Sequence, residues 1–188
     1  MNRILILILM LLPSIGLAQT QSKQSIGVQL ITLGLSLNYE RLLADNHSLA
    51  LVYGRDMQIA GEWNLHQGNI FRLQYRLRIG DRAEEPHLRS GMIASAFVEH
   101  ATNRLIGRDF GRAQFNRAAI GGLIGFRLMF GKRKQLGYEM LVGPKYLIPY
   151  FEVPEWYAPV GNRYPVQGFN FEGTVGIFFL LGTTNKSS

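Results

Sequence analysis

The sequence predicts an all-β fold, an eight-stranded antiparallel up-and-down transmembrane β-barrel. Three observations predict it. Segments that alternate apolar and polar residues recur along the chain, and the best of them match a membrane-crossing strand of about 9–11 residues. Beyond the N-terminal stretch, no segment keeps a convincing helical period. The polar positions mix glycines with isolated charges of both signs, a combination that fills a narrow barrel interior.

The N-terminal stretch stands apart. "MNRILILILMLLPSIGLAQT" has a positive start at Arg3, an apolar run from Ile4 to Leu12, a break at Pro13, and small residues at Gly16 and Ala18. This is the pattern of a secretory signal over residues 1–18, cleaved after Ala18. The apolar run falls short of the roughly 20 residues of a transmembrane helix. Residues 19–181 then form one domain, the barrel, and residues 182–188, "GTTNKSS", a polar tail. The chain carries a net charge of +7; without residues 1–18 it keeps 19 basic residues against 13 acidic, a net of +6. In the cytosol that balance would point to nucleic acid. For an exported chain it points to acidic lipid headgroups or internal ion pairs, with no nucleic-acid partner. With no cysteine, the chain has no disulfide, thiolate metal site or lipoprotein attachment point.

The strands follow in order. Ile26, Val28 and Leu30 alternate with Gly27 and Gln29. From Ile31 the phase reverses: Ile31, Leu33, Leu35, Leu37 and Tyr39 are set against Thr32, Gly34, Ser36, Asn38 and Glu40. Such a flip is either a bulge in one long strand or a tight turn near Thr32 and Leu33 between two. Residues 48–60 place Leu49, Leu51 and Tyr53 on one face. Residues 71–79, "FRLQYRLRI", set Phe71, Leu73, Tyr75, Leu77 and Ile79 against Arg72, Gln74, Arg76 and Arg78. A fifth strand over residues 87–100 has blurred alternation. A sixth over 115–130 sets Ile120, Ile124, Phe126, Leu128 and Phe130 against Gly121, Gly125 and Arg127. In residues 136–148, Leu136, Tyr138, Met140 and Val142 oppose Gly137, Glu139, Gly143 and Lys145. In residues 167–181, Phe169, Phe171, Val175, Ile177 and Phe179 oppose Asn170, Glu172, Thr174 and Gly176.

The connections sort by length. Residues 43–47, 80–87 and 131–135 read as short polar turns, and residues 61–69, 101–114 and 149–166 as longer loops. Alternating short and long connections fit short periplasmic turns and longer external loops. An even strand count puts both termini at the short-turn end, and this parity favours the tight turn near residue 32.

Alternation alone fits a soluble, lipocalin-like barrel as well. Three features favour the membrane. The apolar face is long enough to cross it. Tyr39, Tyr53 and Tyr138 lie near strand ends, as in an aromatic girdle, although Tyr75 is mid-strand. The polar face is poor in the lysine and threonine of a soluble exterior.

With these strands in view, the chain resembles the small eight-stranded outer-membrane barrels of Gram-negative bacteria, the class that includes the transmembrane domain of OmpA. It looks most like short members with a brief first strand followed by "LGLSLNYERLL", "SLALVYG" and the hairpin "GGLIGFRLMFGKRKQLGYEMLVG". The resemblance implies the outer membrane as location, outer-membrane lipid and lipopolysaccharide as surroundings, and a monomer. It also implies recognition by the barrel-assembly machinery, whose terminal-strand signal matches Thr174, Gly176, Phe179 and Leu181. The polar tail departs from relatives that stop at the aromatic residue. The motifs are architectural and speak to fold and location more than to activity.

Several groups are candidates for chemistry. Glu40, Arg72, Arg76, Arg78, Arg127, Glu139 and Glu172 share the polar face, where unpaired charge is costly, so a lumen plugged by ion pairs is expected. A selectivity ring in a small pore is the alternative. The barrel enzymes that deacylate lipid A carry a His-x-Ser-Asn motif; here the positions read His100, Ala101, Thr102, Asn103, with threonine in place of the nucleophile and no glutamate a short way downstream. His100 and Thr102 are thus catalytic candidates, for which an important role is missing. The remaining histidines, His47, His66 and His87, have no metal-ligand spacing, and no cofactor is expected.

Among the external loops, residues 101–114 carry Arg104, Arg108 and Arg112, with Arg117 at the strand edge. These arginines suit lipopolysaccharide phosphate, or simply form a solvated basic loop. Residues 149–165 carry Trp156 and Tyr157 among further aromatics, suited to a binding surface, a folded rim or the headgroup layer. The functional expectation is a non-enzymatic barrel with a charge-paired lumen and a structural or surface-binding role. A lipid A-modifying hydrolase using His100 and a soluble periplasmic barrel holding a hydrophobic ligand are the alternatives.

Overall fold

The computed structural model describes residues 24–31, 34–44, 46–59, 65–79, 90–107, 111–130, 136–149 and 168–181. These residues form eight strands: β1 Gln24–Ile31, β2 Gly34–Ala44, β3 His47–Ile59, β4 Leu65–Ile79, β5 Gly91–Gly107, β6 Gly111–Phe130, β7 Leu136–Pro149 and β8 Gly168–Leu181. Each is antiparallel to its sequence neighbour, and β1 also pairs with β8, which closes the barrel. Closure satisfies ladder hydrogen bonds that an open edge would leave unpaired, a requirement in lipid.

The phase flip is a turn. Ile31 pairs with Gly34, so two residues separate β1 from β2 and the run is not one bulged strand. A register shift does occur later in β2, between Leu42 and Ala44. Positive φ occurs at Gly168, 104°, where the chain enters β8 in a conformation that L side chains rarely adopt.

Two connections differ from the sequence reading. The long loop expected over residues 101–114 is mostly strand: β5 continues to Gly107 and β6 begins at Gly111, paired through to their ends. Likewise Leu65–Asn69 belongs to β4 and pairs with β3. Polar strand residues beyond the lipid are not held to apolar alternation, so they read as loop. The fifth strand also starts at Gly91 rather than residue 87. Strand length therefore varies from 8 residues in β1 to 20 in β6, and the β5–β6 wall stands far taller than the β1–β2 hairpin.

The sidedness is that of a chain in lipid. Ile26, Leu35, Leu73, Val98, Ile120, Val142 and Ile177 point outward and are exposed, whereas Arg72, Arg76 and Arg127 are almost wholly buried inside. An aqueous exterior would make this arrangement unfavourable on both counts. Tyr75 is less anomalous than its sequence position implies: its hydroxyl lies 2.5 Å from His47 Nδ1, which draws the polar tip toward the start of β3. Pro144, outward on β7, removes a ladder donor, and the β6–β7 pairing is interrupted between Gly121–Lys145 and Ile124–Val142.

Candidate functional site

The lumen holds two clusters of ion pairs. Strand alternation aims every second residue inward, and closure brings residues distant in sequence face to face. In the cluster farther from the chain ends, Arg72 of β4 forms a fork with Glu172 of β8, its Nη1 donating to Oε1 at 2.6 Å and its Nη2 to Oε2 at 2.8 Å. The same guanidinium donates to Glu99 of β5, through Nε at 3.1 Å and through Nη2. Lys145 of β7 donates to Glu172 Oε2 at 2.7 Å and lies 4.0 Å from Glu99 Oε1.

The second cluster, nearer the chain ends, is built around Glu40 of β2. Arg127 Nη2 donates to Glu40 Oε2 at 2.6 Å, Arg78 Nη2 to Oε1 at 2.9 Å and Arg76 Nη1 to Oε2 at 3.2 Å. Ser48 donates to Oε1 at 2.5 Å. Glu139 of β7 accepts from Arg127 Nε at 3.0 Å and from Arg76 Nη1 at 3.2 Å. Gln74 links inward, accepting from Arg76 Nη2 at 3.1 Å and donating to Ser95 at 2.7 Å.

Each cluster rests on an aromatic ring seated against a glycine. The Arg72 guanidinium lies 4.0 Å from the Phe97 ring centroid, and Phe97 pairs across the ladder with Gly121. Arg127 lies 4.0 Å from the Phe178 centroid, and Phe178 pairs with Gly137. A Cβ on Gly121 would come within 2.6 Å of the Phe97 ring, and one on Gly137 would strike the Phe178 ring. The glycines give the rings their place, and the ring faces attract the guanidinium charge.

The seven charged residues picked from the sequence therefore all face the lumen and divide between the two clusters. Sequence reasoning missed Glu99 as a member, because small residues at 94–96 blur the alternation of β5, although Glu99 is in phase with Phe97. It placed Lys145 on the polar face without a partner. With both included, four carboxylates meet five cations among the described residues named here. Phe97 and Phe178 were also missed inside the lumen, since an apolar residue on the polar face reads as noise. In place of the apolar chamber of the lipocalin-like expectation, the described lumen holds the two ion-pair clusters together with a packed group of Ile93, Phe97, Leu123 and Leu141, and the continuous apolar face looks out.

Other predicted residues lie elsewhere. His100 and Thr102 are successive outward residues of β5. The adjacent Glu99 points inward onto Arg72, so it cannot orient the His100 imidazole. Thr174 and Gly176 face inward on β8, with Phe179 and Leu181 outward. Arg104 and Arg112 stand in strands, opposite Gln114 and Ile106. Arg117 is buried and faces inward, not at an external edge. Arg108, Trp156, Tyr157, the signal segment and the polar tail lie outside the described residues.

No protein-family model and no curated protein matches the sequence. Solved structures with a similar fold include the N-terminal β-barrel domain of Pseudomonas aeruginosa OprF, at 18% identity over 87% of this chain and 100% of that one, TM-score 0.55. Neisserial surface protein A aligns at 10% identity over 84% of this chain and 93% of that one, TM-score 0.50. At these identities the likeness is one of fold: the chain has the architecture of the small eight-stranded outer-membrane barrels.

Proposed function

We propose that the chain is a non-enzymatic outer-membrane barrel protein, exported by the signal in residues 1–18, with a lumen plugged by ion pairs and a structural or binding role at the outer surface. The observation that carries this reading is the pairing of Arg72 with Glu99 and Glu172, and of Glu40 with Arg76, Arg78 and Arg127, in an interior whose exterior is apolar. A lumen held this way offers no continuous aqueous path, because an ion would have to displace paired charges. Thr174, Gly176, Phe179 and Leu181 suit the assembly-machinery signal, and the closed sheet suits a monomer.

In planar bilayers the purified barrel is expected to show no steady conductance. A persistent open channel with anion preference would overturn the plugged-lumen reading. Fractionation tests the location: the protein is expected with outer membranes, and full release into the periplasm would sink it. A lipid A-modifying hydrolase remains the second reading, favoured by the outward position of His100 and Thr102 at the edge of the apolar belt. Acyl loss from lipid A in expressing cells, abolished by His100→Ala, would establish it.

A further inference from the structure

We propose that the first half of β8, Gly168–Gly173, is a hinged flap that carries Glu172 in and out of the ion-pair plug. The β1–β2 hairpin ends at Ile31 and Gly34, but the strands that flank it go on. Thr174–Phe179 pairs with both β1 and β7, whereas Gly168–Gly173 pairs with β7 alone. Across the notch, Asp56–Ile59 of β3 pairs with β4 alone. The two free edges face each other over the width of the two strands that stop short, about 14 Å at a strand spacing of about 4.8 Å. Phe169 and Phe171 point outward from this half of β8, 80% and 75% exposed, so its free edge lies at the level of the apolar face. Hydrocarbon offers that edge no hydrogen bond, and no neighbouring strand supplies one, which leaves a weakly held stretch of wall.

The flap has a glycine at each end and a clasp on each face. Gly173 stands where double pairing gives way to single pairing, and a Cβ there would meet no atom within 4 Å. Gly168, at the other end, has a φ of 104°. Opposite Phe171 stands Pro144, which has no N–H to give, and the N–H of Phe171 itself donates to Asn170 Oδ1 at 2.8 Å. The ladder to β7 is therefore thinned in the middle of the flap. On the inward face the clasp is Glu172, held by both terminal nitrogens of Arg72 and by Lys145 Nζ at 2.7 Å. On the outward face it is Phe169, set edge-on to Tyr146 with ring centroids 5.1 Å apart.

The two carboxylates of this cluster are thus held differently. Glu99 sits in β5, paired with a strand on either side, and Glu172 sits on the singly paired flap. When the flap swings off β7, Glu172 leaves with its backbone, and Arg72 and Lys145 keep Glu99 alone. The cluster around Glu40 stays closed, so the notch admits water to the first cluster from the side without opening a path through the barrel. An exchange of side-chain partners inside a rigid wall would leave Gly168–Gly173 in place, and this separates the two modes by experiment. The inference rests on the plugged-lumen reading above and states where the plug yields.

The test is acylation of Lys145, a buried lysine, by a water-soluble N-hydroxysulfosuccinimide ester of acetate. The full chain is folded in vesicles and the modified lysine is read by peptide mass spectrometry. The chain has no cysteine, so a Pro144→Cys, Phe171→Cys pair, directly opposed on β7 and β8, provides a disulfide lock on the flap. Slow labelling of Lys145 is expected in the parent chain and in the reduced pair, falling about tenfold on oxidation. Gly173→Val leaves every ion pair in place and is expected to slow labelling about threefold by stiffening the hinge. Amide hydrogen exchange is expected to run about tenfold faster in residues 168–173 than in 174–179, with Glu172→Gln widening the difference. Equal labelling of the locked and reduced forms would overturn the flap. So would a parent chain whose Lys145 is never labelled, or a Gly173→Val variant that changes neither labelling nor exchange. A steady conductance through the parent barrel is a different failure, that of the plug itself.

Discussion

Glu40 gathers three arginines from β4 and β6 on one carboxylate, with Ser48 and Ser25 completing its shell. Burying any one of these charges without the others would be strongly unfavourable, because the desolvation of an ion is recovered only by close partners. Glu40→Gln keeps the shape and removes the charge that holds them. It is expected to destabilise the barrel by about 3–5 kcal/mol, read as a lower urea midpoint in vesicles. An unchanged midpoint would mean that Glu139 and solvent absorb the surplus charge. The glycine–ring contacts make a second residue-level prediction. Gly137→Val drives a side chain into the Phe178 ring that supports Arg127. A loss of about 1–3 kcal/mol is expected from overpacking, with Phe178→Leu in the same chain restoring part of it. If the double variant is no more stable than Gly137→Val alone, the ring is not what the valine displaces.

Individual strands show where sequence pattern is informative. In β4 the alternation separates a lipid face from a lumen face without exception among residues 71–79, and in β8 every outward residue of 174–181 is apolar although Phe178 and Leu180 face inward, because hydrocarbon tolerates no misplaced charge whereas the lumen accepts apolar side chains. This makes a depth-dependent prediction. Val142→Arg, mid-belt on β7, is expected to cost about 2–4 kcal/mol, whereas Asn69→Arg, beyond the belt on β4, should cost about 0–1 kcal/mol. Both are measured by equilibrium unfolding in lipid vesicles, and equal costs would deny that the belt marks the hydrocarbon. Beyond the belt that discipline disappears. The end of β5 and the start of β6 mix polar and apolar residues without alternation, yet a ladder holds them as strand, so residues 101–114 looked like a loop and Arg104 and Arg112 like loop arginines. Small residues inside β5 had the same effect on Glu99: alanine and serine fit either face, and the phase was lost.

On the scale of the whole molecule, closure joins β1 to β8 and leaves the barrel resistant to piecemeal unfolding, since every strand is paired on both sides over part of its length. The folded protein is expected to migrate differently on a detergent gel before and after boiling. Identical migration under both conditions would count against a closed barrel. The number of strands, their antiparallel order, and the tight turn that separates β1 from β2 were legible in the sequence, and the structure bears them out. Those features follow from local alternation and from the parity of turns, both properties of neighbouring residues. The partners of each charge were not legible. That Arg72 meets Glu172, 100 residues away, and that Phe97 and Phe178 turn inward beneath guanidinium groups, depends on how the closed sheet sets strands opposite one another across the lumen. Alternation says only that a side chain points inward; the register and circumference of the barrel decide what it meets there.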